Sequence, residues 1–276
     1  MTTGAEWAAA VGDVWAAEWV RTDRSFAGLS PRLDAAVLAA APAGLGRAVD
    51  LGCGAGQTSI ALAAARPDLT VLGVDISPEL VRIAAERGRD LPNLRFAVAD
   101  VAADPHAPAG ADLLFSRHGV MFYDHPAETF AALRAAAAPG ARLVFSCFRS
   151  AALNPWAGAL AATMIGGPYA SPPGYAPGPF AFADPDRTAA MLAGAGWTAA
   201  APEPVDYRYV AGSGPAAVAD AATFFRRVGP VSAAIKAVPA DEQLLLIARL
   251  TAALTEHRDG EQVSFAAAAW IWSAHA

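Results

Sequence analysis

Lysine is almost absent from this 276-residue chain: Lys236 stands against nineteen arginines. The simplest source of that bias is a GC-rich genome, not a functional arginine surface. Cysteine is nearly as scarce. Cys53 and Cys147 are the only two, which excludes a disulfide scaffold and suits a reducing compartment. Charged residues make up 17% and the net charge is −6, so the basic face that a nucleic-acid partner needs is missing. So few charges beside 55% hydrophobic residues also exclude a disordered chain. No long apolar run is free of helix breakers. The longest uncharged stretch, 150–183, carries Pro155, Pro168, Pro172, Pro173, Pro177 and Pro179, so it is not a membrane helix. The opening residues, Met1 to Trp7, lack the basic and apolar regions of a secretory leader. The expectation is a cytoplasmic protein with neither nucleic acid nor membrane as partner.

Alanine is abundant, at 72 residues, and favours helix while burying little area per residue. Trp7, Val11, Trp15 and Trp19 recur at a spacing of four. That spacing puts them on one face of a helix over 5–21, a packing face or a flap over a ligand. A second helix is expected over 31–41, with Ser30 as its cap. From Arg47 onward the pattern alternates. Short apolar strands at 47–51, 70–75, 93–99, 112–116 and 141–148 are separated by helices at 57–65, from Pro78, and at 126–137. Such alternation means an α/β fold with a parallel sheet covered on both faces. After Arg149 it stops. The segment 150–183 reads as irregular, 185–194 and 216–258 as helical, and 203–211 and 263–275 as strands.

The first strand runs into Gly52-Cys53-Gly54-Ala55-Gly56. Glycine lets a backbone turn sharply and approach a ligand, and the helix after it offers free N–H groups. Asp75 ends the next strand, where an acid can take both hydroxyls of a ribose. The dinucleotide pattern Gly-x-Gly-x-x-Gly is not met, because Gln57 stands at the third glycine. Asp50 precedes the first glycine by two residues. It would repel a pyrophosphate and welcome a cationic group. A nicotinamide-dependent oxidoreductase is therefore the rival reading, disfavoured by Gln57 and Asp50.

Val49-Asp50-Leu51-Gly52-Cys53-Gly54-Ala55-Gly56 resembles the first motif of class I S-adenosylmethionine-dependent methyltransferases, and Val71 to Ser77 the second. Phe96 to Val101 is similar to the family's adenine-contacting stretch. Leu133-Arg134 with Ala138-Pro139-Gly140-Ala141-Arg142-Leu143 is similar to its "L-R-x-x-L-x-P-G-G-x-L" segment, with Ala137 and Ala141 as departures. Phe115 to Tyr123, Asn154-Pro155-Trp156, Pro177 to Pro185 and Ala268-Ala269-Trp270 resemble signatures of one bacterial small-molecule branch.

The resemblance implies a Rossmann-like seven-stranded sheet of order 3-2-1-4-5-7-6, with strand seven antiparallel. It implies a single domain over 1–276, with a flap at 1–41 and cap insertions at 150–183 and 216–258. It implies S-adenosylmethionine as cofactor, held by Asp50, Gly52, Gly54, Gly56, Thr58, Asp75, Ile76, Asp100, Val101 and Ser116. Asp75 would hold the ribose, and Asp100 with the Val101 N–H would hold the adenine. The expected reaction is methyl transfer by in-line displacement to a small, largely apolar acceptor. A cofactor-binding relative without catalysis is the other alternative.

His118 follows the fourth strand, where the branch pattern has phenylalanine. It is the candidate general base, expected to titrate near the ordinary histidine value of about 6.5 unless burial shifts it. Tyr123 and His125 are weaker candidates. The histidines form no metal-ligand spacing, so no metal is expected.

Overall fold

A computed structural model describes residues 6–104, 106–167 and 174–276. Three helical pieces come first. A π turn at Trp7–Val11 leads into α1 (Gly12–Ala17), and α2 (Trp19–Ser25) and α3 (Ser30–Ala40) follow. Helix 5–21 is thus broken at Glu18, and the helical path runs four residues further, to Ser25. Ser30, expected as a cap, is instead the first helical residue, and Leu29 stands at the cap position.

The alternating region follows as β1 (Gly46–Leu51), α4 (Gln57–Ala65), β2 (Leu69–Asp75), α5 (Pro78–Arg87), β3 (Leu94–Val98), β4 (Leu113–Arg117), α6 (Pro126–Ala136) and β5 (Arg142–Phe148). Ser77 caps α5 by accepting from the Leu80 N–H, with Pro78 at the first position. Leu51, Val71, Leu113, Leu114 and Phe145 are fully buried, because helices cover both sheet faces. Each such side chain is worth roughly 1.5–3 kcal/mol of burial.

The rest is α7 (Gly158–Ile165), α8 (Pro185–Gly194), β6 (Thr198–Ser213), α9 (Ala217–Phe225), α10 (Gly229–Lys236), α11 (Ala240–Glu256), β7 (Arg258–Asp259) and β8 (Gln262–His275). The sheet order is β3-β2-β1-β4-β5-β8-β6. The pairs among β1 to β5 are parallel, while β8 runs antiparallel to both β5 and β6. This is the expected order. The two-residue β7 forms a hairpin with β8 and shifts the last strand's number by one.

The segment 150–183 departs from expectation. Between Pro155 and Pro168 lies a proline-free run, and it forms α7 with Leu160, Ala161 and Met164 buried. Trp156 and Phe182 are buried as well, so much of the segment is core. Its residues 168–173 lie outside the described residues. No described helix is long and apolar enough to cross a membrane.

Candidate functional site

At the carboxyl ends of β1, β2 and β4 lies a cavity of about 610 Å³. Its floor is the glycine turn from Gly52 to Ala55, while Gly56 lies off the wall, where an added Cβ would stand 2.8 Å from the Phe96 ring. Gly52, Gly54 and Gly56 have φ of 65°, 54° and 81°, a left-handed region that side chains resist. A side chain added at Gly54 would meet no protein atom within 4 Å, so the turn presents an open backbone cradle to the cavity. Behind it the packing is the reverse. A Cβ on Gly119 would stand 2.6 Å from the Leu51 carbonyl oxygen, so the loop after β4 must pass directly over the end of β1.

Asp75, 8% exposed, closes one side. Its Oδ2 accepts from the Gly54 N–H at 2.8 Å and its Oδ1 from the Ser77 N–H at 2.9 Å. Burial pushes its carboxyl above the ordinary range, against those two N–H bonds. Ile76 and Val101 line the same wall as Asp100. Asp100 is exposed, and its Oδ1 accepts from the Ala102 and Ala103 N–H groups.

Asp50, Thr58 and Ser116 are not on the cavity wall; all three are buried behind it. Asp50 Oδ2 accepts from Ser59 Oγ at 2.6 Å, while Oδ1 has no partner. Desolvation pushes this carboxyl up to about 7. The Thr58 hydroxyl reaches Gln57 Oε1 at 3.3 Å. The Ser116 hydroxyl donates to the Leu51 carbonyl at 2.6 Å and accepts from the Gly119 N–H at 3.1 Å. It ties the β4 loop to β1. Cys53 is buried, and burial beside Asp75 and Asp50 pushes its thiol far up, so it fills the turn as a neutral side chain.

The N-terminal helices roof the cavity with Trp7, Trp15 and Trp19. Ion pairs pin them on both sides. Asp23 bridges Arg117 at 2.6 Å and Arg87 at 2.8 Å, and Arg21 meets Asp220 of α9 at 2.6 Å. The sequence reading singled out neither Asp23 nor Arg117, since nothing local couples α2 to β4 and α5.

The opposite end is aromatic. Phe26, Phe148, Trp156, Tyr209 and Phe225 line it together with His118. Trp156 stacks on Tyr209, ring centres 4.7 Å apart and planes within 3°. His118 contacts Phe148 at 4.3 Å and Phe26 at 4.7 Å. Its Nδ1 lies 2.8 Å from Ser146 Oγ, and its Nε2 has no partner. Burial, then the Arg117 charge, hold its pKa well below 6.5, so the titration expected near that value gives way to a ring that stays neutral. Tyr123 also lines the cavity, with a hydroxyl that lacks a partner and that burial makes harder to ionise. His125 is exposed at the rim.

The arrangement suits a nucleoside carrying a cationic tail. It has an open backbone cradle at Gly54, an acid beside it at Asp75, and an unpaired carboxylate oxygen on Asp50 behind the turn. Comparison with known proteins agrees. Residues 48–140 match the methyltransferase domain family. The chain is 41% identical over 102 residues to a trans-aconitate 2-methyltransferase of Methylobacterium nodulans, covering 37% of this chain and 36% of that protein. It is 32% identical over 98 residues to a malonyl-[acyl-carrier protein] O-methyltransferase of Hahella chejuensis, covering 36% and 35%. These matches span about a third of the length of either relative. A phosphoethanolamine N-methyltransferase of Haemonchus contortus, solved with S-adenosyl-L-methionine, shares the fold. Its TM-score is 0.54 at 15% identity, over 96% of this chain and 57% of that one. Residues 48–140 thus match a methyltransferase domain, and the fold is shared with the Haemonchus enzyme.

Proposed function

We propose that this chain transfers the methyl group of S-adenosylmethionine to a small, largely apolar acceptor. One observation carries the reading: a single cavity joins the glycine cradle and Asp75 to a wall of aromatic rings. The cofactor supplies a sulfonium-bound methyl group and a neutral leaving sulfide. Asp75 and Asp100 hold its nucleoside, Gly52 and Gly54 let the backbone approach it, and Gly56 lets the turn pack against Phe96. Asp50 balances its cationic end from behind the turn, while Thr58 and Ser116 support the turn and the β4 loop. Phe26, Phe148, Trp156 and Tyr209 exclude water and hold the acceptor in line with the methyl group. Positioning of that kind can supply up to roughly 7–11 kcal/mol of a barrier.

The two relatives named above act on trans-aconitate and on malonyl-[acyl-carrier protein], but among the described residues the aromatic wall here offers no unpaired cation to an acid. Arg117, the arginine on the cavity lining, is already engaged by Asp23. Titrating S-adenosylhomocysteine and NAD separately by calorimetry tests the cofactor, and binding of NAD alone would overturn the reading. Radiolabelled methyl transfer into phenols, amines and quinones, run beside trans-aconitate and malonyl-carrier protein, tests the acceptor. Transfer only to the acids would replace the apolar acceptor, and binding without transfer to any would leave a cofactor-binding protein.

A further inference from the structure

One ring on the aromatic wall is held unlike its neighbours. His118 has a left-handed backbone, φ 64°, uncommon for any residue with a side chain. Such strain gathers at functional sites. The turn it makes sends the following residue, Gly119, across the end of β1 and sets the imidazole between Phe26 and Phe148. The residue is only 6% exposed, and its Nε2 has no partner among the described residues.

Proton accounting then selects the tautomer. Ser146 is fully buried, and its hydroxyl has one side-chain contact, the His118 Nδ1 at 2.8 Å. If Nδ1 carried the proton, it would donate to Ser146 Oγ. The serine proton and the Nε2 lone pair would then both lie buried and unused. If the serine donates to Nδ1, its proton is satisfied and the ring proton must sit on Nε2. The second arrangement leaves one unmet group, an N–H, where the first leaves two. A buried donor without a partner is costly, and here it belongs to a side chain on the cavity wall.

We propose that Ser146 fixes His118 as the Nε2–H tautomer, and that His118 is a hydrogen-bond donor to a carbonyl or phenolate oxygen of a planar apolar acceptor. The ring is therefore a recognition group for an oxygen atom and not a base that removes a proton. The proposal takes its occupant from the methyl-transfer reading, whereas the tautomer stands apart from it. The surrounding titratable groups are Arg117, tied to Asp23, and Tyr209, whose ring meets Phe26 at 6.2 Å. Burial makes the Tyr209 hydroxyl harder to ionise.

Nitrogen-15 NMR of histidine-labelled full-length protein with S-adenosylhomocysteine tests the tautomer before any acceptor is known. The His118 signals are assigned by their loss in His118→Gln. The expected result is a neutral ring protonated at Nε2, unchanged from about pH 6 to 8, with the preference weakened in Ser146→Ala. A proton on Nδ1, or titration near the ordinary histidine value of about 6.5, overturns the proposal. Calorimetry with 1-indanone and indane, which differ by one carbonyl, tests the donor. The affinity ratio of ketone to hydrocarbon should fall roughly three- to tenfold in His118→Phe, and an unchanged ratio overturns the donor role. If His118→Phe does not fold, the wild-type spectrum still decides the tautomer. Loss of cofactor binding or of methyl transfer would count against the enzymatic reading and leave the tautomer result standing.

Discussion

Asn154 and Ala268, 114 residues apart, exchange two hydrogen bonds of 3.0 Å, one from the Ala268 N–H to Oδ1 and one from Nδ2 to the Ala268 carbonyl. The same amide accepts from the Trp156 indole N–H at 3.1 Å and donates to the Ser150 carbonyl at 3.0 Å. One fully buried side chain thus joins the segment after β5 to β8 and sets the indole that stacks on Tyr209.

Asn154→Ala orphans the Ala268 N–H and the Trp156 indole together, while the Ala268 carbonyl keeps the Arg149 N–H at 2.9 Å. An orphaned buried group costs about 1–3 kcal/mol, so a loss of at least about 2 kcal/mol is expected in urea denaturation. Cofactor affinity of the folded fraction should hardly change, because no Asn154 contact reaches the glycine turn. A stability change below about 0.5 kcal/mol would mean that water replaces the amide.

Gly54 and Gly119 should respond in opposite ways to a side chain. Gly54→Val meets open space but carries a branched side chain at φ 54°. It should fold with a modest loss of roughly 1–2 kcal/mol and lose binding of S-adenosylhomocysteine. Gly119→Ala drives a methyl group into the Leu51 carbonyl and should mainly lower the melting temperature. Normal binding by Gly54→Val would remove the cradle from the site.

Asp75→Ala removes the carboxylate from the cavity wall and the acceptor for two backbone N–H groups. Affinity for S-adenosylhomocysteine should fall roughly ten- to a hundredfold, and Asp75→Asn, which keeps one acceptor oxygen, should fall less. Calorimetry measures both, and unchanged affinity in Asp75→Ala would exclude a ribose contact.

Asp50 should make cofactor binding pH-dependent. Its carboxyl is raised from 3.8 to about 7, so between those values the folded protein holds a proton that the unfolded chain has released. This contribution to stability is greatest at acid pH, falls as pH rises through that window, and is gone above about 7. A cationic ligand favours the ionised carboxylate and expels the proton. Affinity should therefore rise toward pH 7 by up to about tenfold per unit and then level off. Calorimetry in buffers of different ionisation heat should detect the released proton, and Asp50→Asn should abolish it. Proton-neutral binding in the wild type would place the cationic group away from Asp50.

Local spacing alone carried the strand–helix alternation, the glycine turn and the acid at the end of β2, whereas the sheet order was implied by the family resemblance. In each of the first three, the decisive residues lie within one strand–turn–helix unit, and hydrophobic period and glycine dihedrals act over such distances. The same logic failed in 150–183, where prolines at both ends masked the helix-forming run that became α7. Asp50, Thr58 and Ser116 sit behind the cavity wall and not on it, a distinction of depth that a motif does not encode. The roof and the far wall were decided by tertiary structure. Asp23 meets Arg87 and Arg117 only because α2 lies across α5 and the end of β4. Phe26 meets His118 only because the end of α2 reaches the β4 loop, and Tyr209 meets Trp156 only because β6 pairs with β8, which pairs with β5. The chemistry near the cofactor is thus written in short motifs. The aromatic wall depends on side chains brought together from across the chain by packing, and no local pattern specifies a contact over that separation.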